Sequence, residues 1–166
     1  VPLSRKPDND IKLITVPQVR GLPMSQDPKL NSHSKLNCVL ACIQAQQAGG
    51  DEALMLDPLG FVNTTNACNF FIVRSGEVWT STGDYCMNGI TRSKVIKLCR
   101  ESGIIVREKN FSLLETYGAD EAFITGTFAG QMSIFEIDGK PIGNGKTQIT
   151  DKIRNLYRKE IGYDEN

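Results

Sequence analysis

The sequence predicts a single domain of the α+β class. Short strands joined by hairpin turns are interspersed with amphipathic helices, a mixture that argues against a doubly wound parallel sheet. The 166 residues suffice for one continuous hydrophobic core. The hydrophobic and charged fractions, 40% and 23%, are close to those of ordinary globular domains.

The charge balance excludes several classes of partner. Nineteen basic residues match nineteen acidic ones, so no net field favours nucleic acid or an anionic membrane. No apolar run approaches the roughly 18 residues needed to cross a bilayer, and the N-terminus lacks the pattern of a signal peptide. We therefore expect a soluble intracellular protein, in the cytoplasm or an organelle matrix.

Cysteine usage favours reduced thiols over disulfides or metal. The five cysteines are an odd number, and three of them, Cys38, Cys42 and Cys99, fall in apolar helical patterns that suit buried thiols. The chain has no CxxC pair, and its only histidine is His33. The spacings between the cysteines do not match those of structural zinc sites, so we expect no metal site.

The first part of the chain predicts a strand, a long loop and a helix. Ile11 to Val16 alternates as a strand does. Residues 17–31 are rich in Pro, Gly, Asn and Asp, and long irregular connections of this kind are often functional. Leu36 to Ala48 carries apolar residues at helical spacing and stops at Gly49-Gly50.

The middle of the chain predicts short strands. They are expected at residues 53–56, 61–62, 69–74 and 77–81. Ser75-Gly76 is suited to a two-residue hairpin connection between the last two.

The remainder predicts helices alternating with strands. An amphipathic helix from Ile90 to Ser102 is closed by Gly103, and Asp138-Gly139 makes a later turn. The other expected elements are strands at 104–108, 121–125 and 132–137, one helical turn at 113–117 and a closing amphipathic helix at 146–161.

Two glycine-bordered turns are candidate anion sites. Gly89 lets the backbone turn, and the free N–H groups of Ile90 and Thr91 then open a helix whose positive dipole end suits a phosphate. Thr127 lies in a turn between Gly126 and Gly130, directly after a buried strand, where its hydroxyl can address an anionic oxygen. Taken alone, each pattern also fits an ordinary helix start or tight turn.

Seven strings along the chain resemble those of the fold-type-IV aminotransferases that use pyridoxal 5'-phosphate (PLP), the branched-chain and D-amino-acid type. They occur in that family's order and spacing, and the resemblance runs from about Arg20 to Tyr157. The strings are SHSKLN (32–37), DEALMLD (51–57), GFV (60–62), NFFIV (69–73), NGITRSKVI (88–96), GADEAFITGT (118–127) and FEIDGKPIGNGK (135–146).

The resemblance implies an architecture and a reaction. It implies a mixed, barrel-like sheet, with residues 20–166 as the PLP-binding large domain, residues 1–19 as a strand and remnant of the preceding region, and the small N-terminal domain absent. It also implies a homodimer that transfers an amino group between an amino acid, branched-chain by closest resemblance, and a 2-oxo acid. Two alternatives remain: an aminodeoxychorismate-lyase-like or D-amino-acid enzyme on the same fold, and a non-catalytic relative.

The resemblance further implies roles for individual residues. Ile90, Thr91 and Thr127 would hold the PLP phosphate, and the amides of Phe128 and Ala129 would help to bind the substrate carboxylate. His33 and Arg92 are expected to be structural, Arg92 in an ion pair.

The lysine that forms the Schiff base is assigned to Lys35, just before the first helix. Such an amine must join PLP and later move the α-proton. An alignment without gaps on Leu36 places the usual lysine position on Asn31, whose amide cannot form the Schiff base. Lys35 therefore requires a local gap, and Lys29 is the alternative.

The partner of the pyridine nitrogen also departs from the family pattern. The family has a glutamate two residues after the Gly-aromatic-aliphatic triplet, a position that falls on Thr64 here. A hydroxyl can hydrogen-bond the nitrogen but supplies no negative charge. A neutral ring withdraws electrons less well, so transamination is expected to be slower or redirected.

Overall fold

A computed structural model describes residues 11–127 and 130–162, and within these ranges nine strands form one sheet beside four helices. The strands are β1 (Ile11–Thr15), β2 (Glu52–Leu56), β3 (Val62–Thr65), β4 (Asn69–Arg74), β5 (Glu77–Thr80), β6 (Val106–Glu108), β7 (Glu121–Gly126), β8 (Gly130–Ile137) and β9 (Lys140–Pro141). The helices are α1 (Leu36–Gln47), α2 (Ile90–Glu101), α3 (Leu113–Tyr117) and α4 (Gln148–Glu160). None of the helices in these ranges is long and apolar enough to span a membrane.

Six of the strands close into a barrel. The sheet order is β3-β2-β1-β8-β7-β4-β5-β6, and a further pairing of β3 with β4 joins the ends of the first six. The sheet is mixed because β1 runs parallel to both β2 and β8, whereas most other pairs are antiparallel. The predicted α+β class with a mixed, barrel-like sheet is confirmed.

Both predicted hairpin turns are present. Ser75-Gly76 has φ angles of 50° and 79°, and Asp138-Gly139 has 54° and 76°. Two consecutive positive φ values are those of the type I′ turn, which matches the twist of the strands it joins. The first turn joins β4 to β5 and the second joins β8 to β9.

Alternation along the strands divides the apolar side chains between two faces of the sheet. One set fills the barrel interior, and its members include Leu13, Leu54, Phe70, Ile72 and Ile124. The other set faces outwards beneath α2 and α4, where the rings of Phe71 and Phe123 stack with centroids 4.9 Å apart.

Helix α1 packs on the outside of β1 and β2 through small side chains. Ala41 and Ala45 are fully buried against Ala53 and Met55. All five cysteines are free, and Cys99 is buried as expected. In contrast, Cys38 and Cys42 on α1 are only half-buried, because the face of α1 that meets the sheet is centred on the alanines.

Glu52 on β2 is one of the buried carboxyl groups of the sheet. Glu52 is buried, its Oε1 lies 3.9 Å from the Sγ of Cys68, and its Oε2 has no hydrogen-bond partner among the described residues. Burial raises the pKa of Glu52 above its ordinary value, because desolvation disfavours the charged form. Burial also raises the pKa of the Cys68 thiol to about 12.

This carboxyl predicts a pH-dependent stability. A group whose pKa is higher in the folded state contributes stability below its unfolded value, near 4.5, and that contribution is lost as the pH rises through the folded value. We expect Glu52→Gln, which cannot ionise, to lose less stability than the parent between about pH 4.5 and neutrality. Urea unfolding of both proteins across this range measures the difference, and parallel curves would contradict the assignment.

Candidate active site

A row of polar side chains crosses four adjacent strands on the outer face of the sheet. Thr64 on β3 is the register partner of Asn69 on β4, Asn69 is the partner of Thr125 on β7, and Thr125 is the partner of Gln131 on β8. Directly opposed residues point to the same face of a sheet. Two strands of the row, β7 and β8, also pack against α4, whereas α1 packs on β1 and β2.

Two members of this row have unpaired polar atoms. Thr125 is 1% exposed and Gln131 is 6% exposed, yet the hydroxyl of Thr125 and the Nε2 of Gln131 lack hydrogen-bond partners among the described residues. Buried polar groups in folded proteins are nearly always paired. These atoms are therefore available to a ligand or to water.

Asn69 holds the start of α2 on the row. Its Nδ2 donates to the carbonyl of Met87 at 2.9 Å. A Cβ on Gly89 would lie 2.7 Å from the Oδ1 of Asn69, so a glycine is needed for the backbone to pass this closely. The N-terminal end of α2 is thus fixed directly over the centre of the row.

The first turn of α2 offers unpaired amide donors. The first helical hydrogen bond runs from the amide of Ser93 to the carbonyl of Gly89, and Gly89 has no side chain to cap the helix. Within the described residues, the amides of Ile90, Thr91 and Arg92 have no acceptor. Three free donors at the positive end of a twelve-residue helix could receive an anion, and the assignment of a phosphate to Ile90 and Thr91 stays a prediction.

The second glycine-bordered turn lies at the same edge. Thr127 follows Gly126, whose register partner is Gly130, and the side chain of Thr127 is exposed. Because Thr125, two residues earlier, lies opposite Asn69, this turn adjoins the start of α2. Phe128 and Ala129, predicted to bind a carboxylate, lie outside the described residues.

Thr64 can act towards a ligand only as an acceptor. Its hydroxyl is buried and donates to the carbonyl of Cys68 at 2.7 Å. The single hydroxyl hydrogen is therefore engaged, and only the lone pairs of the oxygen remain.

Arg20 connects the N-terminal turn of α1 to the loop that precedes α2. Its Nε donates to the carbonyl of Tyr85 at 2.9 Å, and its Nη2 lies 3.4 Å from the carbonyl of Pro28. Its Nη1 lies 3.1 Å from the Sγ of Cys38, in the first turn of α1. The segment that carries the candidate lysines is thus held beside the anion site.

The candidate lysines themselves are exposed. Lys35 is the N-cap residue directly before α1, and its side chain is exposed. Lys29 is exposed and lies 3.9 Å from Asp84, and Asn31 is also exposed. The structure therefore brings Thr64, Ile90, Thr91 and Thr127 to one edge of the sheet. The side chain of Lys35 makes no hydrogen bond or ion pair with any of them.

Arg92 is in the predicted ion pair. Its Nη2 donates to the carbonyl of Ser81 at 2.7 Å and to Glu108 at 3.1 Å, and the side chain is almost fully buried. The guanidinium is thus directed away from the free amides, and it anchors α2 to β6. His33 is exposed in the loop before α1.

Two residues at this edge were not assigned roles from the sequence. Asn69 stands in the resembling string NFFIV, but nothing local shows that its amide reaches Met87. The three partners of Arg20 are up to 65 residues away, and two of them are backbone carbonyls that leave no trace in side-chain pattern.

Comparison with known proteins agrees with this geometry. A branched-chain-amino-acid aminotransferase-like protein 2 of Arabidopsis thaliana is 41% identical over 155 residues, which is 92% of this chain and 28% of that protein. A branched-chain-amino-acid aminotransferase of Pseudomonas aeruginosa is 42% identical over 123 residues, 74% of this chain and 40% of that protein. The crystal structure of the branched-chain amino acid aminotransferase from Thermobaculum terrenum in its PLP form superposes with a TM-score of 0.90 at 32% identity, covering 95% of this chain and 53% of that one.

The chain thus spans about half, or less, of the length of the relatives it matches. The sequence profile of the family described as amino-transferase class IV matches residues 1–137. With this match over most of its length, and with the fold of a solved relative, the chain belongs to the class IV aminotransferases.

Proposed function

We propose that this chain is the cofactor-binding part of a PLP-dependent aminotransferase that transfers an amino group between a branched-chain amino acid and a 2-oxo acid. The observation that carries the proposal is the start of α2, where three free amides lie above a polar row in which Thr125 and Gln131 have unpaired atoms. Membership of the class IV family and likeness to a solved enzyme in its PLP form support it.

The residues present fit the phosphate end of the cofactor. A phosphate carries two charges and several acceptor oxygens, and the amides of Ile90 and Thr91 supply donors at a positive helix end. The exposed hydroxyl of Thr127, on the neighbouring turn, would complete the contact. When bound, PLP supplies an aldehyde that reacts with amines and a ring that withdraws electrons.

Thr64 would face the ring nitrogen from the polar row. Because its hydroxyl already donates to Cys68, its oxygen can accept a hydrogen bond only from a protonated nitrogen. Without a carboxylate charge, that protonated form is less stabilised. We therefore propose a slower transamination than in relatives with a carboxylate at this position.

Lys35 is the proposed amine. It lies at the start of α1, which Arg20 holds beside the anion site through Cys38, and no ion pair within the described residues fixes its ammonium. Lys29 is the poorer candidate because Asp84 lies 3.9 Å from its ammonium. The amides of Phe128 and Ala129 are proposed to hold the substrate carboxylate, and the active protein is proposed to be a homodimer with residues 20–166 as its PLP-binding domain.

A non-catalytic PLP-binding protein is the second candidate, and one observation favours it. Asn31 occupies the gap-free lysine position, while Lys35 is exposed and its side chain makes no hydrogen bond or ion pair with Thr64, Ile90, Thr91 or Thr127. In this case the phosphate would still bind at α2, but no amine would attach to the cofactor.

The anion site predicts that Gly89→Ala weakens PLP binding. The added Cβ would lie 2.7 Å from the Oδ1 of Asn69, so that the side chain or the start of α2 must shift. We expect Kd to rise by about tenfold or more, the loss of about one charge-assisted hydrogen bond. Fluorescence titration with PLP measures Kd, with circular dichroism as the test of folding.

Lys97→Ala is the matched control for this variant. Lys97 is exposed on α2, and its partner is Glu101 at 3.7 Å, so its loss leaves the first turn of the helix intact. We expect its Kd for PLP to equal that of the parent. If Gly89→Ala and the parent bound PLP with the same Kd, the phosphate would not bind at the start of α2.

Covalent trapping separates the two candidate functions. If Lys35 is the amine, borohydride treatment of the protein with PLP will fix the cofactor to Lys35, and mass spectrometry will find no label in Lys35→Ala. Lys29→Ala should retain the label. Saturable PLP binding with no labelled lysine, together with labelling gained by Asn31→Lys, would instead establish the non-catalytic candidate.

A further inference from the structure

The turn between β3 and β4 lies next to a buried carboxyl that the proposed function does not use. Glu52 is 2% exposed, and its Oε1 lies 3.9 Å from the Sγ of Cys68, at the end of this turn. The turn is fixed to β2 because the amide of Ala53 donates to the Oδ1 of Asn66 at 2.8 Å, and the amide of Asn66 donates to the carbonyl of Ala53 at 3.2 Å. Glu52 is therefore held against the segment that carries Thr64.

Glu52 and Thr64 lie on opposite faces of the sheet. Leu54 belongs to the apolar set inside the barrel, and Glu52, two residues earlier on β2, shares its face. The register partner of Leu54 is Thr65, which therefore also points inwards. Thr64 belongs to the polar row on the outer face. Glu52 cannot touch a ligand at that row, so its effect on a ligand must pass through the turn.

One carbonyl in the turn has more donors than it can accept. The carbonyl oxygen of Cys68 lies 2.9 Å from the amide of Thr65, 2.7 Å from the hydroxyl of Thr64 and 2.9 Å from the hydroxyl of Thr65. A carbonyl oxygen has two lone pairs, and the backbone amide, which cannot turn away, occupies one of them. The hydroxyls of Thr64 and Thr65 therefore compete for the other.

Glu52 offers Thr65 an alternative acceptor. Burial raises the pKa of Glu52, and hydrogen bonding by Thr65 and Cys68 opposes part of that rise. The Oε2 of Glu52 has no other partner within the described residues, and an ionised carboxylate is a stronger acceptor than a carbonyl. In the same part of the chain, the Thr64 hydroxyl has no acceptor other than Cys68. When Thr65 donates to Glu52, Thr64 therefore keeps the carbonyl.

We propose that Glu52 is a positioning residue: by attracting the Thr65 hydroxyl, it keeps Thr64 a hydrogen-bond acceptor towards the ring nitrogen of the cofactor. The ligand in this inference rests on the proposed function, whereas the link between Glu52 and Thr64 belongs to the chain alone. With Glu52 ionised, the Thr64 hydrogen stays on the carbonyl, and the Thr64 oxygen accepts from a protonated nitrogen. With Glu52 neutral, Thr65 takes the carbonyl, and the Thr64 hydrogen is released to donate to an unprotonated nitrogen.

The surroundings of Glu52 provide a variant that shifts its titration without removing it. After burial, the charge of Asp51 is the other cause that raises the pKa of Glu52. The Cys68 thiol, with its pKa raised to about 12 mainly by burial, stays neutral near Glu52, and the register partner of Glu52 on β1 is the apolar Leu13. Asp51 and Cys68 are the titratable groups that act on the pKa of Glu52 within the described residues. Loss of the Asp51 charge should therefore lower the pKa of Glu52.

Methyl NMR of Thr64 and Thr65 in the protein without ligand tests the link, followed from pH 4.5 upwards. We expect the Thr64 signal to titrate with Glu52 in the parent, to lose that step in Glu52→Gln, and to titrate at lower pH in Asp51→Asn. Asp51 is exposed, and the asparagine side chain retains an oxygen for the amide that Asp51 accepts, so this variant decides the question even if Glu52→Gln does not fold.

Glu101→Gln is the matched control for the NMR titration. Glu101 is exposed on α2 and pairs with Lys97, so its loss should leave the Thr64 titration unchanged. A Thr64 signal that titrates alike in the parent, Glu52→Gln and Asp51→Asn would overturn the proposal.

Pyridoxamine 5'-phosphate tests the consequence for a ligand, because it carries the ring and the phosphate but needs no lysine. At a pH where its ring nitrogen is protonated and Glu52 is ionised, we expect Kd to rise by about tenfold in Glu52→Gln, the loss of about one hydrogen bond to a charged group. The 1-deaza analogue, in which CH replaces the ring nitrogen, should bind alike to both proteins.

The two measurements separate this inference from the proposed function. Equal Kd values for pyridoxamine 5'-phosphate in the parent and Glu52→Gln would overturn the role of Glu52 and leave the cofactor site intact. If the parent did not bind this ligand at all, the proposed function would fail, and the NMR titration would still decide whether Glu52 controls Thr64.

Discussion

The pairing of β3 with β4 at Thr64 and Asn69 is the constraint on which the site depends. This pairing closes the barrel, and the same two residues then extend a cross-strand row to Thr125 and Gln131. Asn69 in turn donates to the carbonyl of Met87 before α2, and its Oδ1 lies close to the backbone of Gly89. The contact that completes the architecture therefore also positions the free amides that would receive a phosphate.

The local elements were predictable because their causes are local. The Ser75-Gly76 and Asp138-Gly139 turns need positive φ angles, which those residue pairs tolerate, and the start of α2 follows from Gly89 before an amphipathic pattern. Barrel closure could not be deduced from periodicity. It requires β3 to pair with β4, and the register of that pair is defined only in the folded chain. It was reached through resemblance to a family, which supplied the topology as a whole.

Some residues of the candidate site could be predicted from the sequence, and others could not. Ile90, Thr91 and Thr127 stand at glycine-bordered turns, so their position at one edge could be inferred from short strings. Asn69 and Arg20 act through backbone carbonyls far away in sequence, and no pattern of residue types encodes such partners. Helix α1 shows the same limit: helical spacing of apolar residues identified the helix, but not that its alanines would face the sheet.

Arg20 has a consequence for how this edge opens. One guanidinium holds the carbonyls of Tyr85 and Pro28 and the sulfur of Cys38, and so it ties the loop before α2, the loop before α1 and the first turn of α1 to a common point. A displacement of any one of these segments that moved Arg20 would strain its contacts with the other two. The three segments at the rim of the site therefore share one anchor, and loss of the Arg20 side chain would release all of them together.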